Sequence, residues 1–260
     1  MKMVTNKQSF SVDKLNVNIY PNRVEMGRGV ANAVALKIQE LLQKQERVSI
    51  VFPAAASQNE LLDSLSVIPG IDWSRVVSFH MDEYIGLGAQ HPQLFGNYLN
   101  KRIFDRVKPG KVFLLNGQAN PLEQEIERYT KLLREYPLDL ACLGIGENGH
   151  IAFNDPAVAD FNDPVWVKLV EPDLTSRMQQ VHDGCFQSLE EVPTQAFTLT
   201  IPALIAAKWV YCTVPGATKR QAVQKTLRGN VSTSCPASIL RTLDHAALFL
   251  DLDSAADILA

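Results

Sequence analysis

Two spacings of apolar residues alternate along the chain. In residues 30–43 (VANAVALKIQELLQ) apolar side chains recur every three or four positions and give way to polar ones, which predicts an amphipathic helix. Residues 48–54 (VSIVFPA) are apolar and mostly β-branched until a proline stops them, as expected of a short strand buried on both faces. The pair then recurs. SQNELLDSLS reads as a helix and RVVSF (75–79) as a strand; FGNYLNKRIFDRV reads as a helix and KVFLLNG as a strand. PLEQEIERYTKLLREY opens its helix on a proline, which a first helical turn tolerates. LDLACLGIG (138–146) is again an unbroken apolar run. WVYCTVP, the helix TKRQAVQKTLRG closed by Gly229, and the strand AALFLDL complete the series.

Continuous apolar strands alternating with amphipathic helices predict an α/β fold: an open, mostly parallel, Rossmann-like sheet with helices on both faces. No repeat, low-complexity tract or long Pro/Gly linker divides the chain, so residues 1–260 read as a single domain. In such sheets ligands bind beyond the carboxyl ends of the strands. Three predicted strands end in unusual sequences, VFPAAASQ, SFHMDEY and LGIGENGH, and the rule predicts that all three share one crevice.

Composition narrows the function classes. With 46% hydrophobic and 20% charged residues the chain is ordinary globular material. A net charge of −3 and no basic run argue against nucleic-acid binding. No apolar stretch approaches a membrane span, and MKMVTNKQSFSVD lacks the apolar core of a signal peptide. The four cysteines (Cys142, Cys185, Cys212, Cys235) lie far apart, with no CxxC, which disfavours a disulfide framework and a zinc knuckle. The expected compartment is the cytoplasm.

The strand ends hold the candidate chemistry. Asp82 and Glu83 follow a strand directly. They could cap the next helix, or aim a carboxylate of raised pKa into the crevice as a general base. In GIGENGHIAFNDP (144–156), Gly144, Gly146 and Gly149 permit tight turns and close approach of main chain to a ligand. His150 is either a structural histidine satisfied by a carbonyl or a proton-transfer group, with Asn148 and Asp155 each bonding one ring nitrogen and fixing its tautomer. One histidine and one carboxylate are too few ligands for a metal.

FHMDEYIGL, HPQLFGNYL, LLNG, GIGENGHIAFNDP and SCPASILR, in this order across residues 48–254, resemble the glucosamine-6-phosphate deaminase/isomerase family, which is related to the 6-phosphogluconolactonases. MDEY and AFNDP are closer to the deaminase branch. The resemblance implies that His150 helps open a pyranose ring and that Asp82 moves a proton between C2 and C1 of the open-chain sugar. It implies a sugar-phosphate substrate, release of the 2-amino group as ammonia, and neither metal nor redox cofactor. A homo-oligomer is compatible with it.

Three departures from the family pattern stand out. E-N-G-H replaces N-D-G-H, so Asn148 stands where a carboxylate would support the histidine; Asp155 is one methylene shorter than the family's glutamate; and PAAASQ (53–58) replaces a glycine-rich phosphate loop. In that loop Ser57 and Gln58 offer side-chain donors, and amides of the following helix could hold an anion. Lys219 matches the family's phosphate lysine, and Arg177 is a candidate second cation. On this reading Asn148→Asp should raise activity by restoring anionic support to His150; if Asn148 instead suits a non-amino sugar phosphate or another epimer, the same change should lower activity on that substrate. Two other readings remain open: a 6-phosphogluconolactonase, and a non-catalytic sugar-phosphate sensor that needs neither Asp82 nor His150.

Overall fold

A computed structural model describes residues 8–259. The chain opens with a hairpin the apolar pattern did not announce, β1 (Gln8–Val12) antiparallel to β2 (Leu15–Tyr20). Helix α1 (Arg23–Leu42) starts well before the predicted residue 30, because the Asn22 side chain accepts the amide of Glu25 at 2.9 Å and caps it. There follow β3 (Val48–Phe52), α2 (Asn59–Leu65), β4 (Val76–His80) and β5 (Asp82–Tyr84). α3 (Phe95–Leu99) runs through a π-helical turn (Asn100–Phe104) into α4 (Asp105–Val107). Next come β6 (Lys111–Phe113), α5 (Leu122–Glu135), β7 (Leu140–Leu143), β8 (Val167–Val170) and α6 (Leu174–His182). The chain ends with β9 (Ala196–Leu199), α7 (Ile201–Ile205), β10 (Trp209–Val214), α8 (Arg220–Arg228), β11 (Ala246–Asp251) and α9 (Leu252–Leu259).

Eight strands form one sheet in the order β1-β2-β11-β10-β7-β3-β4-β6, parallel throughout except for β1 against β2. From β3 the chain builds outward through β4 and β6. It then returns to lay β7 on the other side of β3 and continues to β10 and β11. β3 and β7 therefore flank the point where successive connections diverge, and a crevice opens at their carboxyl ends.

The period-two alternation of the strands divides the core. Leu140 and Cys142 of β7, with Ile50 and Phe52 of β3, pack against Val30, Val34 and Ile38 of α1 and Leu61 and Leu65 of α2. Ala141 and Leu143, with Val51 and Phe79, pack on the opposite face with Tyr129 and Leu133 of α5 and Val223 and Leu227 of α8. Each fully buried Leu, Ile or Val contributes about 1.5–3 kcal/mol relative to exposure. No helix among the described residues is long and apolar enough to cross a membrane.

A second sheet was not foreseen. β5, β9 and β8 pair antiparallel, with Asp82 opposite Thr198. An aromatic cluster of Tyr84, Phe95, Phe153 and Phe186 joins this sheet to the loops above the large one.

Candidate active site

The three loops singled out in the sequence meet. A pocket, partly open to solvent, is lined by Pro53, Ala55, Ser57 and Gln58 after β3, by Met81 and Asp82 after β4, and by Gly144, Gly146 and His150 after β7. Phe95, Ala152 and Phe153 add an apolar wall, and Gln179 and Gln180 of α6 close one side.

Asp82 and Glu83 have separate fates because consecutive residues of a strand face opposite ways. The Asp82 side chain lines the pocket and is 8% exposed. Burial, and then the neighbouring charge of Glu83, raises its pKa well above the usual carboxylate range. Glu83 turns away from the substrate position expected for it. Its carboxylate accepts the amides of Tyr84 (2.9 Å), Phe95 (3.0 Å) and Gly96 (2.9 Å), satisfying donors at the start of α3. Burial outweighs these three bonds and lifts its pKa to about 7. The capping reading therefore holds for Glu83 and not for Asp82.

His150 is held from one side. Its Nδ1 lies 3.0 Å from Asp155 Oδ1 and 2.7 Å from Ser176 Oγ, leaving Nε2 without a hydrogen bond among the described residues. The ring lies against Gly146, where an added Cβ would come within 2.1–2.3 Å of its Cε1, Nε2 and Nδ1 atoms. Gly149 adopts φ +89° and has Cys235 Sγ 2.8 Å from where a Cβ would stand, so it shapes the loop from outside the pocket lining.

Asn148 does not touch the ring, contrary to the expectation that it would bond one ring nitrogen. Its Oδ1 accepts the His150 amide at 3.0 Å, while Nδ2 donates to Asp155 Oδ1 and to Asp173 Oδ2, each at 2.9 Å. Asp155 is 1% exposed and gathers donors from every side: Asn148 Nδ2, the Ser176 hydroxyl, the Asp173 amide at 2.8 Å, and His150. Burial alone would raise its pKa, but these bonds and the His150 charge win and hold it at about 2. Asp155 is thus the anionic partner of the histidine, and its shorter side chain still reaches.

The phosphate-side expectations are only partly met. Ser57 and Gln58 line the pocket, but Gln58 Nε2 is engaged by Thr213 O and Ser57 Oγ, each at 3.1 Å. Lys219 lies behind the lining rather than in it; it is 4% exposed, and Nζ has no hydrogen-bond partner among the described residues. Burial lowers its pKa, against the opposing charges of Asp183 and Glu147. Arg177 does not enter the pocket. Its Nη2 donates to the carbonyls of Leu189 (2.8 Å) and Val192 (3.0 Å), tying down a neighbouring loop.

Reading the sequence by strand ends missed Ser176, Gln179 and Gln180, which reach the site from α6. A signal for them exists in EPDLTSRMQQVH. Asp173 is an N-cap, its side chain accepting the Ser176 amide at 2.8 Å. Once the helix is started there, spacings of three and four place Ser176, Gln179 and Gln180 on one face.

The comparisons with known proteins point one way. The profile of the family described as glucosamine-6-phosphate isomerases/6-phosphogluconolactonase matches residues 21–249. The chain is 34% identical over 221 residues to a glucosamine-6-phosphate deaminase of Listeria monocytogenes serotype 4a, covering 85% of this chain and 92% of that one. A Bacillus cereus (strain G9842) glucosamine-6-phosphate deaminase is 36% identical over 184 residues, 71% of this chain and 68% of that one. Among solved structures, a monomeric glucosamine-6-phosphate deaminase superposes with a TM-score of 0.85 at 27% identity, covering 93% of this chain and 99% of that one. The 6-phosphogluconolactonase of Thermotoga maritima superposes with a TM-score of 0.74 at 21% identity, covering 90% and 98%, a likeness of fold.

Proposed function

Because the chain belongs to the family of glucosamine-6-phosphate isomerases and 6-phosphogluconolactonases, we propose that it is an aminosugar-phosphate deaminase/isomerase. It converts glucosamine 6-phosphate, or a close epimer, and water to a ketose 6-phosphate and ammonia. The observation that carries this reading is the pairing of Asp82 and His150 across one pocket, a carboxylate made basic by burial facing a ring anchored only through Nδ1.

The chemistry follows from those two groups. His150 Nε2 takes the proton of the anomeric hydroxyl and delivers it to the ring oxygen as the C1–O5 bond breaks, giving the open aldehyde. Starting from the 2-ammonium form, Asp82 removes the proton at C2, the electron pair moves toward O1, O1 takes up the extra proton of the amine to give an enolamine, and Asp82 returns its proton to C1. The resulting C2 iminium adds water and expels ammonia. General acid–base steps of this kind contribute about 10²–10⁴-fold each. Asp155 stabilises the imidazolium formed midway, which its ionised state suits. The Ser57 hydroxyl, which lines the pocket, is assigned to the phosphate. The Lys219 ammonium, which has no hydrogen-bond partner among the described residues, is assigned to that anion from its place in the family pattern. Four free thiols and a phosphorylated metabolite fit a cytoplasmic enzyme.

The test is a side-by-side assay of glucosamine 6-phosphate, galactosamine 6-phosphate and 6-phosphogluconolactone, reading ammonia and acid release. Ammonia from one of the aminosugar phosphates is the expected result. Lactone hydrolysis without ammonia would replace the proposal with a lactonase. Binding of all three without turnover would make the chain a sensor.

A further inference from the structure

Ser176 occupies a position that nothing in the proton-transfer scheme requires. It is 1% exposed, sits in the first turn of α6, and its Oγ lies 2.7 Å from His150 Nδ1 while donating to Asp155 Oδ1. The proton count in this triangle is constrained. Asp155 accepts from the Asn148 side-chain amide and from the Asp173 backbone amide, the surroundings of an ionised carboxylate. A serine hydroxyl carries one hydrogen. If that hydrogen pointed to His150, Oγ would face Asp155 Oδ1 with two sets of lone pairs and no proton between them. The hydrogen therefore goes to Asp155, Oγ becomes an acceptor, and Nδ1 must carry the hydrogen it shares between Oγ and Oδ1.

We propose that Ser176 is a positioning residue that fixes His150 as the Nδ1–H tautomer and so keeps the Nε2 lone pair directed at the pocket. A carboxylate with Asp155's short side chain meets Nδ1 at 3.0 Å, a long contact for a charged partner. The hydroxyl adds a second, closer acceptor and stops the ring from turning about its own axis. The role in turnover rests on the deaminase/isomerase reading; the tautomer does not.

The two are separated by one spectroscopic and one kinetic experiment. Long-range ¹H–¹⁵N correlation spectra of the histidine rings, with His150 assigned by comparison with His150→Gln, should show Nδ1 protonated and Nε2 bare in the parent. His80 is expected to share that pattern, since its Nε2 accepts the Leu115 amide at 2.9 Å. In Ser176→Ala the His150 signals should move toward the Nε2–H form that histidine prefers in water. Ser176→Cys keeps the volume, weakens the hydrogen bond and serves the same comparison should the alanine variant not fold. On the best aminosugar phosphate, kcat should fall roughly ten- to hundred-fold with KM within about two-fold, the pattern of misplaced chemistry rather than lost binding. A parent His150 protonated at Nε2, or variants that keep both the tautomer and the rate, would overturn the proposal. A parent inactive on every aminosugar phosphate would overturn the functional reading and leave the tautomer to be judged by its spectrum.

Discussion

Asn148→Asp is the substitution on which the two ways of reading the site diverge most. Judged from the family pattern, it restores a missing carboxylate and should raise activity. In the structure it does something else. Asn148 Nδ2 bridges Asp155 Oδ1 and Asp173 Oδ2 at 2.9 Å each, so an aspartate there sets a third anion against two. Two hydrogen bonds to charged acceptors are lost, about 1.5–3 kcal/mol each. A like charge at 2.9 Å adds about 6 kcal/mol of repulsion at an effective dielectric constant of 20. The cluster escapes that cost by taking up a proton. Holding a carboxyl protonated at pH 7 against an ordinary pKa near 4 costs about 1.4 kcal/mol for each pH unit, about 4 kcal/mol in all. Protonation is the cheaper course, so the electrostatic part of the penalty is capped near that figure; the single O–H of the protonated acid still leaves one of the two hydrogen bonds unmade, about 1.5–3 kcal/mol at any pH. The sign follows. The added carboxyl has a folded pKa above its unfolded one, so the electrostatic part is absent below about pH 4 and grows as pH rises toward the folded value. Urea unfolding of parent and variant should differ by about 3–4.5 kcal/mol at pH 5 and about 5.5–7 kcal/mol at pH 7, with kcat lowered at both. A variant as stable as the parent at both pH values, or one with increased kcat, would refute the argument.

Four further outcomes are expected. Asp82→Asn should lower kcat by about 10²–10⁴-fold while the fold survives, and its stability relative to the parent should improve as pH rises, because the parent alone must ionise a buried carboxyl; kinetics and thermal unfolding check both. Lys219→Met should weaken competitive inhibition by inorganic phosphate at least ten-fold yet raise unfolding stability by about 1–3 kcal/mol, since it removes a buried ammonium that has no hydrogen-bond partner among the described residues. Gly146→Ala must displace the His150 ring, so kcat should drop about a hundred-fold with a normal far-ultraviolet circular dichroism spectrum. Asp155, at about 2 in the folded chain against 3.8 ordinarily, contributes about 2 kcal/mol that is present above pH 4 and lost as pH falls toward 2; in acid titrations Asp155→Asn should lack that part of the transition.

The strands β3, β4, β6, β7, β10 and β11 of the large sheet and the loops at its mouth could be read directly because their signals are local. Apolar runs such as VSIVF and LACL are buried on both faces and need no partner to be recognised. The small sheet carried no such mark. β5 is only Asp-Glu-Tyr, and β8 keeps Lys168 and Leu169 partly or fully out of the core, so both depend on pairing with β9, more than a hundred residues on from β5. The same distinction explains the site. Asp82 and His150 stand beside strand ends, where the fold rule looks. Ser176 and Gln180 arrive from a helix whose start rests on the Asp173 cap. What Asn148, Glu83 and Arg177 do depends on the direction of a side chain, and residue type does not carry that.

The neighbouring of β3 and β7 makes the site a seam. Ser57 and Asp82 belong to the part of the chain that ends with α5, whereas His150, Asp155, Ser176 and Lys219 all come after it. Each part carries half of the proposed proton-transfer pair, and the two halves come together only when the parallel ladder between β3 and β7 has closed. Long-range parallel pairing is slow to form. Regained turnover would therefore appear late in refolding, after most helical signal. A chain cut in the turn between α5 and β7 would work only as two reassociated pieces, so that catalysis itself reports their joining.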